Sequence, residues 1–257
     1  MSVFKIDAVR NSREIRLLLI AIVLVCGCDA PADVEPTVRP EVTEASWSEQ
    51  IDAVRSRTAK QIVVHDSHVT AAELADLTSG CERLEVLELD RIDASSDALS
   101  VIGDLPNLKR VKLSGPIDDD GIAELAGAKT LVVVNLPAAA LTDRGLQMLA
   151  GLPNLELLRF HSPNVTDAGL AHIAEMPALR FLHLIDVPVT DAGLEHLYGL
   201  TRLESFYLDG SHCTQTGLGE LLKALPDLHF HWNQVHLPDD PQADDHDVGE
   251  PAANAAH

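Results

Sequence analysis

The sequence predicts an α/β solenoid of about seven short coils with a cap at each end. The chain repeats itself most plainly between Leu155 and Arg202. There Leu155-Glu-Leu-Leu158-Arg-Phe160 and Val165-Thr-Asp-Ala-Gly-Leu170 are echoed by Leu179-Arg-Phe-Leu182-His-Leu184 and Val189-Thr-Asp-Ala-Gly-Leu194, an offset of 24 residues. The period extends to leading positions Ala59, Leu84, Leu108, Leu131, Leu155, Leu179, Leu203 and Leu228, in steps of 23 to 25. Within each coil apolar residues alternate over a strand-length stretch, and from the third coil on a Thr-Asp-x-Gly-Leu-like segment with a helical pattern follows.

Residues 1–27 read as a signal peptide. Lys5, Arg10, Arg13 and Arg16 precede an uninterrupted apolar run from Leu17 to Val25, which is short for a bilayer span. The closing Val25-Cys26-Gly27-Cys28 resembles the lipobox of bacterial lipoproteins, in which a small residue precedes an invariant cysteine. Cys26 departs from that pattern, standing where the family has a residue such as Ala or Ser. The resemblance implies that Cys28 becomes the lipidated N-terminus, so that the membrane is a partner through that lipid. It further implies an extracytoplasmic protein anchored to a bacterial membrane, on the periplasmic side or the cell surface. An ordinary cleaved leader and an uncleaved anchor are the alternatives. Asp29, next to the lipidated position, resembles the inner-membrane retention signal of some bacteria.

Residues 28–45 are rich in Pro and acidic residues and lack periodicity, the composition of an extended spacer. Residues 46–58 read as an N-terminal capping helix. Ser46 or Ser48 supplies the N-cap, and Trp47, Ile51 and Val54 share one face that covers the first open edge. Residues 238–257 carry Asp239, Asp240, Asp244, Asp245, Asp247 and Glu250 with no Lys or Arg, and read as a disordered acidic tail.

The repeat domain occupies residues 59–237. With the leading residue as position 1, positions 4 and 6 are apolar throughout: Ile62/Val64, Leu87/Leu89, Val111/Leu113, Val134/Leu136, Leu158/Phe160, Leu182/Leu184 and Phe206/Leu208. This is one short buried strand per coil. Thr142, Thr166 and Thr190 cap the helices that follow, and the next Asp suits the positive helix end. Glycine recurs at 121, 145, 169, 193 and 217, although glycine costs about 1 kcal/mol inside a helix. Its recurrence predicts a close approach of neighbouring coils.

The pattern Leu-x-x-Leu-x-Leu followed by Thr-Asp-x-Gly-Leu-x-x-Leu resembles the leucine-rich repeats of the ribonuclease-inhibitor-like and cysteine-containing type, over residues 59–235. The resemblance implies a curved solenoid with a parallel sheet on the concave side and helices on the convex side. The first coil lacks the Gly, and Ala94-Ser-Ser-Asp-Ala98 replaces the motif in the second. No F-box segment precedes the repeats, which removes a ubiquitin-adaptor reading, as does the export signal.

Composition excludes some functions. A net charge of −21 with 19 Lys+Arg argues against nucleic acid, whose binding needs phosphate neutralisation. Cys81 and Cys213 lie more than five coils apart, roughly 25 Å at one strand spacing per coil, too far for a disulfide. Cys213 falls on the core column of Leu141, Val165 and Val189. His229, His231 and His236 are the one local histidine cluster; His229 and His231 share a strand face but no third ligand is dictated, so no metal site is assigned. Asp118-Asp-Asp-Gly121 resembles a calcium loop faintly, and helix-start chemistry accounts for it. Asn164-Val-Thr166 is a formal glycosylation acceptor that a bacterial lipoprotein leaves unused. No Ser/His/Asp, Cys/His, paired-carboxylate or phosphate-loop arrangement occurs, so no catalytic residue, cofactor or enzymatic activity is expected.

The remaining strand positions face outward on the sheet. Position 5 reads Val63, Glu88, Lys112, Asn135, Arg159, His183, Tyr207; position 3 reads Val86, Arg110, Val133, Leu157, Phe181, Ser205. The C-terminal half of this face carries the Arg and aromatic residues that anchor interfaces, so Leu157, Arg159, Phe181, His183 and Tyr207 are the expected contacts for a protein or peptide partner. In the last coil the alternation of Leu228, Phe230 and Trp232 puts Phe230 and Trp232 inward as a closing layer, with His229 and His231 beside Tyr207. Two further readings stay open: a structural component of the envelope without a discrete ligand, and a metal-binding protein at the histidine edge.

Overall fold

The computed structural model describes residues 45–233 and the backbone of residues 235–236. The signal peptide 1–27, Cys28, nearly all of the spacer and the tail 238–257 lie outside the described residues. Nine strands form one open sheet in chain order, with β1 to β8 parallel and β9 antiparallel to β8.

Helix α1 spans Trp47–Arg55, shorter than the 46–58 expected from sequence. Ser46 begins it with a capping box to Glu49, and Ile51 and Val54 are buried. It ends early because Arg57 turns into the left-handed region (φ 64°), where Thr58 Oγ1 donates to the Ala53 carbonyl at 3.0 Å. The coils follow. Their strands are β1 (Gln61–Thr70), β2 (Val86–Asp93), β3 (Arg110–Leu113), β4 (Val133–Leu136), β5 (Leu157–His161), β6 (Phe181–Ile185), β7 (Ser205–Asp209) and β8 (His229–Trp232). The helices opposite them are α2 (Ala71–Leu74), α3 (Ser100–Gly103), α4 (Asp119–Leu125), α5 (Asp143–Ala150), α6 (Asp167–Ala174), α7 (Asp191–Glu195) and α8 (Gln215–Ala224). Strand β9 (Val235–His236) closes the end.

Where the Thr-Asp-x-Gly segment is missing, the helical side is poor. The second coil makes only a 3₁₀ turn at Ser96–Leu99 and the four-residue α3. Positions 4 and 6 are buried in every coil from Ile62 to Leu208 and run into one continuous core. In the last coil Phe230 pairs with Phe206 and Trp232 with Leu208. Phe230 is fully buried, its ring 5.3 Å from that of Phe206, and Trp232 is half-buried.

The repeated Asp does more than meet a helix end. Asp119 accepts from Thr142 N (2.8 Å) and Thr142 Oγ1 (2.6 Å) of the next coil. Asp143 does the same to Thr166, Asp167 to Thr190 and Asp191 to Thr214, all between 2.6 and 2.8 Å. Each Thr hydroxyl meanwhile accepts from a backbone N–H of its own helix start. The ladder also explains the glycines from Gly145 on, whereas at Gly121 a Cβ would meet Leu99 Cδ1 at 3.0 Å. A Cβ at Gly145 would meet Asp119 Oδ1 at 2.6 Å, and one at Gly193 would meet Asp167 Oδ1 at 2.5 Å. The close approach is therefore to the carboxylate of the previous coil.

The first edge of the sheet is blocked. On the β1 edge, the Gln50 side chain donates to Val63 O and accepts from Val63 N, both at 2.8 Å, and so stands in for a missing strand. Both described cysteines are free and buried. Cys213 fills the core as expected, and burial pushes its thiol up to about 11. No described helix is long and apolar enough to cross a membrane.

Candidate functional site

The parallel register aligns the outward columns. Val63, Glu88, Lys112, Asn135, Arg159, His183, Tyr207 and His231 are successive partners across eight strands. Strand pairing alone thus brings distant residues to about 5 Å spacing along one line.

The N-terminal half of this face neutralises itself. Arg110 pairs with Glu88 at 2.6 Å, and Asp90 receives Lys112 at 2.6 Å and His65 at 2.7 Å. Burial alone would raise the Asp90 carboxyl, but the bonds from Lys112 and His65 outweigh it and hold it below the usual range. A second column, at position 2, alternates in sign: Glu85 sits between Lys60 and Lys109, and Arg180 between Glu156 and Glu204. That alternation was visible in the sequence at the 24-residue period, and reading positions 3 and 5 alone passes over it.

The outward columns of the C-terminal half carry rings and, around Arg159, neutral acceptors. Arg159 donates from Nε to His183 Nδ1 (3.2 Å) and from Nη1 to Asn135 Oδ1 (3.1 Å). Because Nδ1 accepts, the His183 proton sits on Nε2, which donates to Asp209 Oδ2 at 2.9 Å. Burial pushes the His183 imidazole below its ordinary value, Asp209 opposes this, and the Arg159 charge adds to the lowering. The ring is therefore a neutral link in a chain Asn135–Arg159–His183–Asp209 that ties four strands. Tyr207 continues the surface. Its ring lies 5.2 Å from His183 and stacks on His231 at 4.2 Å with the planes 7° apart. His229 meets His231 edge-on, with their Nε2 atoms 2.8 Å apart.

Of the five residues expected from sequence, Arg159, His183 and Tyr207 form one connected cluster. Phe181 adjoins it, half-buried, with the Arg180 guanidinium 5.3 Å from its ring centre. Leu157 is a correction: at 9 % exposure between the strand partners Val133 and Phe181, it supports the face and offers little surface of its own. Asn135, Asp209 and His231 were not among the expected contacts. Asn135 is tied to the site by Arg159 one period ahead of it, and Asp209 by His183, which stands 26 residues before it. Among the described residues no group of three or more His, Cys, Asp or Glu is placed to hold a metal ion.

Solved structures of similar shape share this architecture. An internalin C2 from Listeria monocytogenes superposes with a TM-score of 0.51 at 20% identity, over 73% of this chain and 84% of that one. The fold is a leucine-rich repeat solenoid. A second internalin from the same organism gives a TM-score of 0.48 at 18% identity, over 71% of this chain and 64% of the other. No family model and no curated protein matches the sequence. At this identity the likeness speaks to the fold, and the leucine-rich repeat's use must be argued from its own surface.

Proposed function

We propose that this chain is a non-enzymatic binding module that takes a protein or peptide partner on the C-terminal half of its open sheet face, through Arg159, Phe181, His183 and Tyr207 with Leu157 beneath. The observation that carries it is the interlocked cluster from Asn135 to His231. Its side chains are already held by hydrogen bonds and stacking, so a partner that lands there pays little to order them. Arg and aromatic side chains are also the groups that most often anchor interfaces. The N-terminal half, closed by its own ion pairs, offers no comparable set.

The module is tethered, on this reading, by a lipid on Cys28, with residues 29–45 as a spacer that holds it off an extracytoplasmic membrane surface. Cys28→Ser should move the protein from the membrane fraction to the soluble one and abolish labelling by a fatty-acid analogue; unchanged membrane association removes the anchor. For the face itself, the full chain and its Phe181→Ala, His183→Ala and Tyr207→Ala variants are used to capture partners from envelope extracts. A specific partner retained equally by all four, with their unfolding curves unchanged, refutes binding at this patch.

A further inference from the structure

We propose that Arg159 is a carboxylate receptor, and that the partner presents an acidic side chain flanked by an aromatic or aliphatic residue. The inference rests on reading the open face as a binding surface, and adds which chemistry that surface selects.

The other cations of the strand columns are paired with carboxylates inside the chain. Lys60 and Lys109 share Glu85, Arg110 has Glu88, Lys112 has Asp90, and Arg180 bridges Glu156 and Glu204. Acidic residues outnumber basic ones 40 to 19, and a carboxylate partner is the rule for these strand-column cations. Arg159 departs from it. The acceptors that hold it are the neutral Asn135 amide and the neutral His183 ring, and the nearest anion in its chain of contacts, Asp209, lies on the far side of that ring. Two of its five N–H donors are spent on those two bonds, leaving three, including both of Nη2.

The arrangement suits recognition more than stability. His183, fixed as an acceptor by Asp209, and Asn135 clamp the guanidinium from two sides, which removes the side-chain freedom an incoming anion would otherwise have to freeze. The guanidinium fork matches a carboxylate in geometry and charge. The surroundings supply the rest of the partner's description. Phe181 lies diagonally across from Arg159 on β6, and Tyr207 follows beyond His183 on β7. Apolar shelves thus flank the cation, and the carboxylate that pairs with it should have an apolar neighbour.

The probe is 3-phenylpropionate, with 3-phenylpropanamide as its uncharged counterpart, titrated into the full chain labelled with ¹⁵N at arginine. The expected result is a saturable shift of the Arg159 Nε–H resonance by the acid, with an affinity in the mM range, and no saturable shift by the amide. Arg159→Gln should leave the backbone arginine resonances without a saturable response, and Arg159→Lys, which keeps charge but loses the fork, should weaken binding about ten-fold. Equal responses to acid and amide overturn the proposal without recourse to any variant, so a misfolded Arg159→Gln does not rescue it. A captured partner that needs Phe181 and Tyr207 yet binds Arg159→Gln as well as the parent overturns it while the binding-module reading stands. A response to the acid alongside capture that ignores the patch sinks the binding-module reading and leaves the receptor.

Discussion

Helix α8 contains two glycines two residues apart that should respond to alanine with opposite sign. Gly219 has no atom within 4 Å of where a Cβ would stand, so Gly219→Ala should stabilise by about 0.5–1 kcal/mol through helix propensity and a less flexible unfolded chain. At Gly217 the same Cβ would overlap the Asp191 carboxylate, whose two oxygens hold Thr214 N at 2.7 Å and Thr214 Oγ1 at 2.6 Å. To admit the methyl group Asp191 must withdraw from both bonds. Near the surface these contribute about 1 kcal/mol each, so roughly 2 kcal/mol is lost against a propensity gain of up to about 1. Gly217→Ala should therefore destabilise by about 1 kcal/mol, and the two variants should differ by about 2. Urea unfolding at pH 7 of the full chain measures both. The mechanism also demands coupling: in an Asp191→Gly background, where the carboxylate and the Cβ that would stand 2.7 Å from the new methyl are both gone, Gly217→Ala should cost nothing or stabilise. If the two glycines shift the midpoint equally, or the cost at Gly217 persists without Asp191, the Asp–Thr–Gly ladder is not what these residues are for.

Three other outcomes follow from the same contacts. Hydrogen bonds from Thr214 hold the Asp191 carboxyl below its ordinary range, so its contribution is complete above about pH 4 and disappears as pH falls through the lowered folded value; Asp191→Asn should flatten the acid limb of the stability curve, and an unchanged limb contradicts this. His183 is also lowered, so its neutral form supports the fold above about pH 6.5 and that support fades on acidification. Removing the Arg159 charge should move the His183 titration upward by NMR, whereas a downward move would mean the Arg159 contact has been misread. Finally, Gln50→Ala exposes both backbone groups of Val63, and should cost about 1–2 kcal/mol and speed hydrogen exchange at the Val63 amide; unaltered exchange would show that the edge does not depend on Gln50.

Much of the candidate site was legible because a solenoid turns sequence period into spatial neighbourhood. Once the strands were placed, the position-5 column followed as a line of contacts, and Arg159, His183 and Tyr207 do meet as neighbours on it. The period does not say which side chains hydrogen-bond. Asp167 and Thr190 both read as local helix-start residues, yet the carboxylate reaches 23 residues ahead to the next coil. The choice between a local and an inter-coil bond depends on how adjacent coils stack, which no periodicity reports. Leu157 shows the other limit. Its outward position was right, but exposure depends on how bulky Val133 and Phe181 are on either side and how their side chains lean.

The sequence by itself determined the coil count, the strand core at positions 4 and 6, the inward turn of Phe230 and the leucine-rich repeat fold, because burial alternates with a period that local pattern carries in full. Only the tertiary structure decided the carboxylate ladder, the strand-like cap at Gln50, and the two neutral acceptors that hold Arg159 with three donors to spare. Those depend on the direction of polar side chains over distances of about 3 Å. Hydrophobic pattern is insensitive to such directions, and they arise only when neighbouring coils are stacked.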